Sequence, residues 1–301
     1  MKDNKTIEIT TYIGCSNMCE YCPQVLLINR YKDLREDKDS KVQKALTLEN
    51  FKKYIKTIPA DIDFHFTGYV EPFDNPECEE LLLLSHEQGH RIQINTTLEG
   101  LTYEKFDKIK SLPFKSFLIH LPSATYKERI GIITPRTPLP NGQPKLRDDW
   151  KEMLRHVISS KPQNLGMHSH GGTHCEALEI LKELDVYNLR PHEGNSPTST
   201  RSQNVEKVLD PKKNPQDSIK SKIPPPWNMR GRCSRVYQPV LTPDGRLGLC
   251  CQDYGLDHVA GNLSRQTWQE YRDSEAFKVI EKKGAEMCDY CDIGINTYAN
   301  D

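Results

Sequence analysis

Three cysteines near the start of the chain, Cys15, Cys19 and Cys22, stand in the spacing C-x3-C-x2-C, with Tyr21 directly before the last of them. Thiolates this close together on one loop can bind three irons of a four-iron cubane, which leaves the fourth iron open to a small chelating molecule. A zinc knuckle or three unrelated thiols are the plainer readings of the same residues. A second set lies in the last quarter of the chain. Cys233, Gly245 and Cys250 stand in C-x11-G-x4-C, Cys251 follows at once, and Cys288 and Cys291 form a C-x2-C pair. Four thiolates from Cys233, Cys250, Cys288 and Cys291 would saturate a second cluster, which then passes electrons without binding substrate. The same four would also close a tetrahedral zinc site. The glycine spacing favours Cys250 over Cys251 as the ligand. A disulfide framework fits poorly, because such frameworks belong to small secreted chains and this one has 301 residues.

The elements that must hold these loops alternate between strand and helix. Thr6 to Ile13 is strand-like and ends at Gly14, just before the first cysteine. Leu46 to Ile58 carries apolar residues at helical spacing, and Ile62 to Phe66 reads as a second strand. The alternation continues through a helix at 78–86, a strand at 92–95, a helix at 103–109, a strand at 116–120 and a helix at 150–158. A strand at 165–168, a helix at 174–184 and a sixth strand from Val186 to Leu189 follow. Long connections between strands predict right-handed crossovers and a parallel sheet, with too few units to close an eight-stranded barrel. The fold class expected is α/β, either an α/β barrel or an open, doubly wound sheet, over residues 1–190. The excursion at 132–145 contains four prolines and reads as neither strand nor helix, either a lid or a surface loop. Residues 191–231 read as a linker, with Pro224, Pro225 and Pro226 in succession. From 232 to 301 a small domain is expected, with a hairpin turning at Pro243-Asp244-Gly245 and one amphipathic helix marked by Trp268, Tyr271, Phe277 and Ile280.

The cysteine loop after the first strand resembles that of the radical S-adenosylmethionine (SAM) superfamily, and the resemblance, which extends over nearly the whole chain, implies a partial (β/α)6 TIM-type barrel over residues 1–190. Phe66-Thr67-Gly68-Tyr69-Val70-Glu71-Pro72 is similar to the Gly-Gly-Glu-Pro-like motif that closes the second strand in that family, with Val70 where the second glycine would stand. The resemblance implies that the open iron binds S-adenosylmethionine, with Glu71 taking its amino group. Thr96 and Thr97 after the third strand, and Asn195 in Arg190 to Asn195, would lie near the rest of the cofactor. Gly68 would let backbone groups approach the ligand. The C-terminal cysteines resemble the SPASM extension in its shortened twitch form, which implies an auxiliary 4Fe-4S cluster, two clusters in all.

The activity so implied is cleavage of S-adenosylmethionine to a 5'-deoxyadenosyl radical and oxidation (dehydrogenation) of a small polar substrate by a radical SAM oxidoreductase. Oxidation, crosslinking or epimerisation of a peptide or protein is the alternative. A non-catalytic zinc or iron-sulfur electron-transfer protein is the reading from another class, and Glu71 argues against it. His168, His170 and Cys175 are the candidate catalytic residues, at the end of the fifth parallel strand. His65, His120 and His174 are weaker candidates of the same kind. The partners implied are a small-molecule or peptide substrate and an external one-electron reductant such as flavodoxin or ferredoxin. Lys and Arg total 41 against 42 Asp and Glu, so charge gives no support to nucleic-acid binding. Apolar runs such as Leu81 to Leu84 are far shorter than the roughly 20 residues that span a bilayer, and no targeting segment is visible, so a cytoplasmic protein is expected.

Overall fold

The computed structural model describes residues 5–17, 19, 22–35, 41–124, 132–170, 172–186, 192–194 and 238–283. Of the residues singled out above, Tyr21, Asn195, Cys233, Cys288 and Cys291 lie outside them, as does most of the expected linker.

The first half alternates as its sequence pattern requires. Strand β1 (Thr6–Ile9) leads through the cysteine loop into helix α1 (Gln24–Asp33), then α2 (Leu48–Ile55) and β2 (Asp63–Phe66). Helix α3 (Cys78–Glu87), β3 (Ile92–Thr96), α4 (Tyr103–Ile109) and β4 (Ser116–His120) follow. The starts of α2 and α4 are fixed by threonine caps: Thr47 accepts from the Asn50 N–H and Thr102 from the Lys105 N–H. Helix α1 was not expected from the sequence. Its signal is the pair Leu27 and Tyr31, four residues apart and both buried.

The proline-rich excursion forms strands β5 (Ile133–Pro138) and β6 (Pro144–Leu146), an antiparallel pair, contrary to the expectation of irregular chain. Proline removes a donor, which a two-stranded ribbon tolerates because half of its N–H groups face away from the partner strand. Helix α5 (Asp148–Ser160), β7 (Leu165–His170) and α6 (Cys175–Glu183) resume the alternation. A further strand of the parallel series, β8 (His192–Gly194), pairs with β7 and falls inside the segment read as linker. Of the expected strand from Val186 to Leu189 only Val186 is among the described residues, and its N–H donates to the Leu181 carbonyl of α6.

The C-terminal hairpin consists of β9 (Val240–Leu241) and β10 (Arg246–Gly248), followed by β11 (Val259–Asn262). Gly245 turns the hairpin at φ +88, and a Cβ there would stand 2.7 Å from the Asn262 carbonyl oxygen and 3.0 Å from the Ser264 nitrogen. The single amphipathic helix expected after it is two, α7 (Trp268–Asp273) and α8 (Glu275–Lys283). Ser274 parts them: its backbone is extended and its hydroxyl accepts the Phe277 N–H at 3.1 Å.

Among the described residues nine strands form one sheet, in the order β11-β10-β9-β1-β2-β3-β4-β7-β8. Strands β1, β2, β3, β4, β7 and β8 are parallel, and β9 pairs parallel with β1. The hairpin therefore extends the sheet on the far side of β1, and no described pairing joins β8 to β11 to close a barrel. Ile7, Ile9, Phe64, Phe66, Ile92, Ile94, Phe117, Ile119 and Met167 are buried in one core with Phe51, Leu81, Phe106, Leu154 and Ile180 of the helices. On the opposite face His65, Gln93, Asn95, Leu118, His120 and His168 are half-buried, and Glu8 is buried. A parallel sheet covered on both faces reads as a continuous apolar run, so this alternation marks a face that no helix among the described residues covers. No helix among the described residues is long and apolar enough to cross a membrane.

Candidate metal and cofactor centre

The cysteine loop springs from the C-terminal end of β1 and is pinned at both ends. Thr11 donates its hydroxyl to the Pro72 carbonyl at 2.8 Å, and Asn75 donates to the carbonyls of Thr11 and Leu46, each at 2.8 Å. Within the loop the Ser16 N–H donates to the Asp74 carboxylate at 2.8 Å, and a turn brings the Cys22 N–H to the Cys19 carbonyl at 2.9 Å. Cys15, Cys19 and Cys22 are half-buried and none is in a disulfide. Asn17 aims its side-chain N–H at the Cys15 sulfur, 3.8 Å away, and Gln24 aims its own at the Cys22 sulfur at 3.5 Å.

Burial, and after it the Asp74 carboxylate, push the Cys15 thiol far above its ordinary range. A thiol so disfavoured as an anion is inert until a cation stands beside it, and a coordinating thiol is deprotonated outright. N–H donors aimed at the sulfurs then stabilise the added negative charge. Three thiols on one short loop, with amide donors on two of them, suit an iron-sulfur cluster by their chemistry, while among the described residues no three Cys, His, Asp or Glu side chains stand close enough together to hold a metal ion.

Glu71 is buried beside this loop. Its carboxylate accepts the Thr96 hydroxyl at 2.6 Å, the Thr97 N–H at 2.7 Å, the Thr97 hydroxyl at 2.8 Å and the Phe73 N–H at 3.3 Å. Thr97 in turn accepts from the Asn17 amide at 2.9 Å. The structure so brings Cys15, Glu71, Thr96 and Thr97 into one hydrogen-bonded group at the ends of β1, β2 and β3. Burial raises the Glu71 carboxyl to about 7 even against the donors that favour its charge. In this arrangement Glu71 ties the end of β2 to the end of β3, and Trp150 locks the far side by donating to the Thr97 carbonyl at 2.7 Å.

Gly68 is also required by the fold itself. At φ +68, a Cβ there would collide with the Thr10 hydroxyl and stand 3.3 Å from Val240, so the close neighbours are β1 and β9. The next residue, Tyr69, is buried and donates its hydroxyl to the carbonyls of Cys250 at 2.9 Å and Asp253 at 3.1 Å. Cys250 and Cys251 are both buried. Cys251 shares an apolar cluster with Ile13, Leu27, Tyr69 and Tyr254, against which Cys22 packs.

Strand β7 runs through His170, so the strand persists as far as the sharing of one face by His168 and His170 was expected to need. His168 is in register with His120 of β4 and with His192 of β8, and the rings of His120 and His168 lie 5.3 Å apart. His174 is occupied structurally: it caps α6 through the Glu176 N–H and bonds the Pro144 carbonyl at 2.8 Å. Cys175, beside it, is half-buried and contacted by the Asn141 amide at 3.4 Å, apart from the cysteine loop. Asn17, Gln24, Asp74, Tyr69 and Tyr254 were missed in the sequence. Only Asn17 and Gln24, polar residues within or beside the cysteine triplet, offered a signal there.

Residues 9–139 match the model of the Radical SAM superfamily. No curated protein matches the chain. Among solved structures, BtrN in complex with AdoMet and 2-DOIA is similar over 95% of this chain and 92% of its own, with a TM-score of 0.56 and 14% identity. Histidine-tagged anSMEcpe with bound AdoMet has a TM-score of 0.51 at 15% identity, over 95% of this chain and 82% of its own. Streptococcus suis SuiB bound to precursor peptide SuiA has the same TM-score at 10% identity, over 93% and 67%. At such identities the likeness is one of fold. The matched segment contains the cysteine loop, Glu71 and Thr97, and the chain therefore carries a radical SAM domain over residues 9–139.

Proposed function

We propose that this radical SAM enzyme is an oxidoreductase that dehydrogenates a small polar molecule. Cys15, Cys19 and Cys22 hold one 4Fe-4S cluster, and Cys233, Cys250, Cys288 and Cys291 hold the auxiliary one. Glu71, Thr96 and Thr97, with Gly68, Tyr21 and Asn195, form the surroundings of S-adenosylmethionine. When bound, that cofactor supplies a carbon radical able to take a hydrogen atom from an unreactive position.

The residues of the chain do the rest. Asp74 and Asn17 fix the cysteine loop against the ends of β2 and β3, and Trp150 closes the side of that group away from the loop. His120 and His168 present imidazole nitrogens on the uncovered face of the same sheet, where they can orient a hydroxyl and accept the proton released when the substrate is oxidised. Loss of one hydrogen atom, one proton and one electron gives the dehydrogenated product. An auxiliary cluster held by Cys233, Cys250, Cys288 and Cys291 would supply the acceptor for that electron.

The observation that carries this reading is the uncovered face of the sheet, where His65, Gln93, Asn95, His120 and His168 stand half-exposed. Such a face suits a compact substrate rich in hydroxyl or amino groups better than an apolar peptide side chain. Anaerobic reconstitution, an iron count and an assay for 5'-deoxyadenosine test it. About eight irons per chain, two cubanes' worth, with cofactor cleavage and polyol products lighter by two hydrogens, support it. Bound zinc without cleavage favours a structural metal protein, and turnover of peptides alone favours peptide modification.

A further inference from the structure

The two cysteine regions touch through a pair of tyrosines. Tyr254 is 1% exposed, and its hydroxyl lies 3.6 Å from the Cys22 sulfur. Its ring packs edge-on against Tyr69, with centroids 4.8 Å apart. Tyr69 in turn holds the carbonyls of Cys250 and Asp253, and its own carbonyl accepts the Gln24 amide whose N–H also points at Cys22. The Asp253 carboxylate folds this turn by accepting the N–H groups of Asp257 at 3.1 Å and His258 at 3.0 Å. Tyr254 is thereby fixed on a buried turn and cannot swing away from the cysteine loop without breaking these contacts.

In the metal-free contact the Cys22 thiol donates to the phenol oxygen. Once the sulfur ligates iron its proton is gone, and the phenol becomes the donor of the pair. An O–H donor to a cluster sulfur stabilises the more negative, reduced state.

We infer that Tyr254 is a positioning residue of the first cysteine loop, which donates a hydrogen bond to the Cys22 thiolate and raises the potential at which that centre accepts an electron. The C-terminal segment thus completes the surroundings of the N-terminal centre, apart from any cluster of its own. The inference rests on the reading that Cys15, Cys19 and Cys22 hold a cluster.

The test is anaerobic redox titration of the reconstituted full chain, followed by electron paramagnetic resonance. The signal of the first centre is the one that Cys19→Ala removes. In Tyr254→Phe, which keeps the buried ring, the expected result is unchanged iron content and thermal melting with a more negative midpoint for that signal. Tyr69→Phe leaves the Tyr254 hydroxyl in place and is expected to move the midpoint less. An unchanged midpoint in Tyr254→Phe, or an equal shift in Tyr69→Phe, overturns the inference while leaving the cluster reading intact. Absence of any iron signal that depends on Cys19 overturns both.

Discussion

The two cysteine regions differ in how the fold surrounds them. The N-terminal loop is pinned at its ends by Asp74, Asn75 and Asn17 while its three thiols stay half-buried. The turn at Cys250 and Cys251 is buried and enclosed by Tyr69, Tyr254 and Asp253. Metal sites that do chemistry keep a position open, and those that serve structure or electron passage are closed. In the function proposed above, this contrast corresponds to bond-breaking at the first region and a supporting role for the second.

The sharpest way to break this contrast is to remove a thiol from each side. Cys19→Ala should lose about half the iron, one cubane of two, and bring 5'-deoxyadenosine formation to background. Cys250→Ala should keep the first centre's paramagnetic signal. If both variants lose that signal, the regions are not separable. Next in size is Gly68→Ala, at the joint between β1, β2 and β9. Its positive φ and its contact with Thr10 should cost about 2–4 kcal/mol of stability, read by urea unfolding.

Tyr69→Phe probes the enclosure of the second region alone. It leaves the buried carbonyls of Cys250 and Asp253 without that donor, for a loss of about 1–2 kcal/mol in the same measurement. The smallest effect concerns Glu71 in the metal-free protein. Its carboxyl is raised from 4.5 to about 7, so the folded state holds the proton more tightly than the unfolded one. Stability from this group is therefore complete below about pH 4.5 and is lost as pH rises towards 7. Glu71→Gln should flatten that part of the pH–stability profile, as followed by thermal melting from pH 4.5 to 7.

Much of the frame was legible. Helix α4 and strand β4 lie where their periodicity places them, and the turn at Gly245 follows from Pro243-Asp244-Gly245. The errors have local causes. Ser274 interrupts an amphipathic pattern that looks continuous, because a cap residue can also be an ordinary polar position. Prolines hid the β5–β6 ribbon. The polar face was written in the alternation of Ile92, Gln93, Ile94 and Asn95, but only sheet pairing shows that the same side also gathers His65, His120 and His168.

Residue types and spacing alone pointed to metal chemistry at two groups of cysteines, put the first after a strand, and put Glu71 at the end of the next one. Tertiary structure decided what meets them: Thr96 and Thr97 on Glu71, β9 beside β1, and Tyr69 on Cys250 across 181 residues of sequence. The division has a physical reason. Turns, caps and ligand spacing depend on neighbours a few bonds away, whereas strand order and buried hydrogen bonds depend on which distant segments exclude water together.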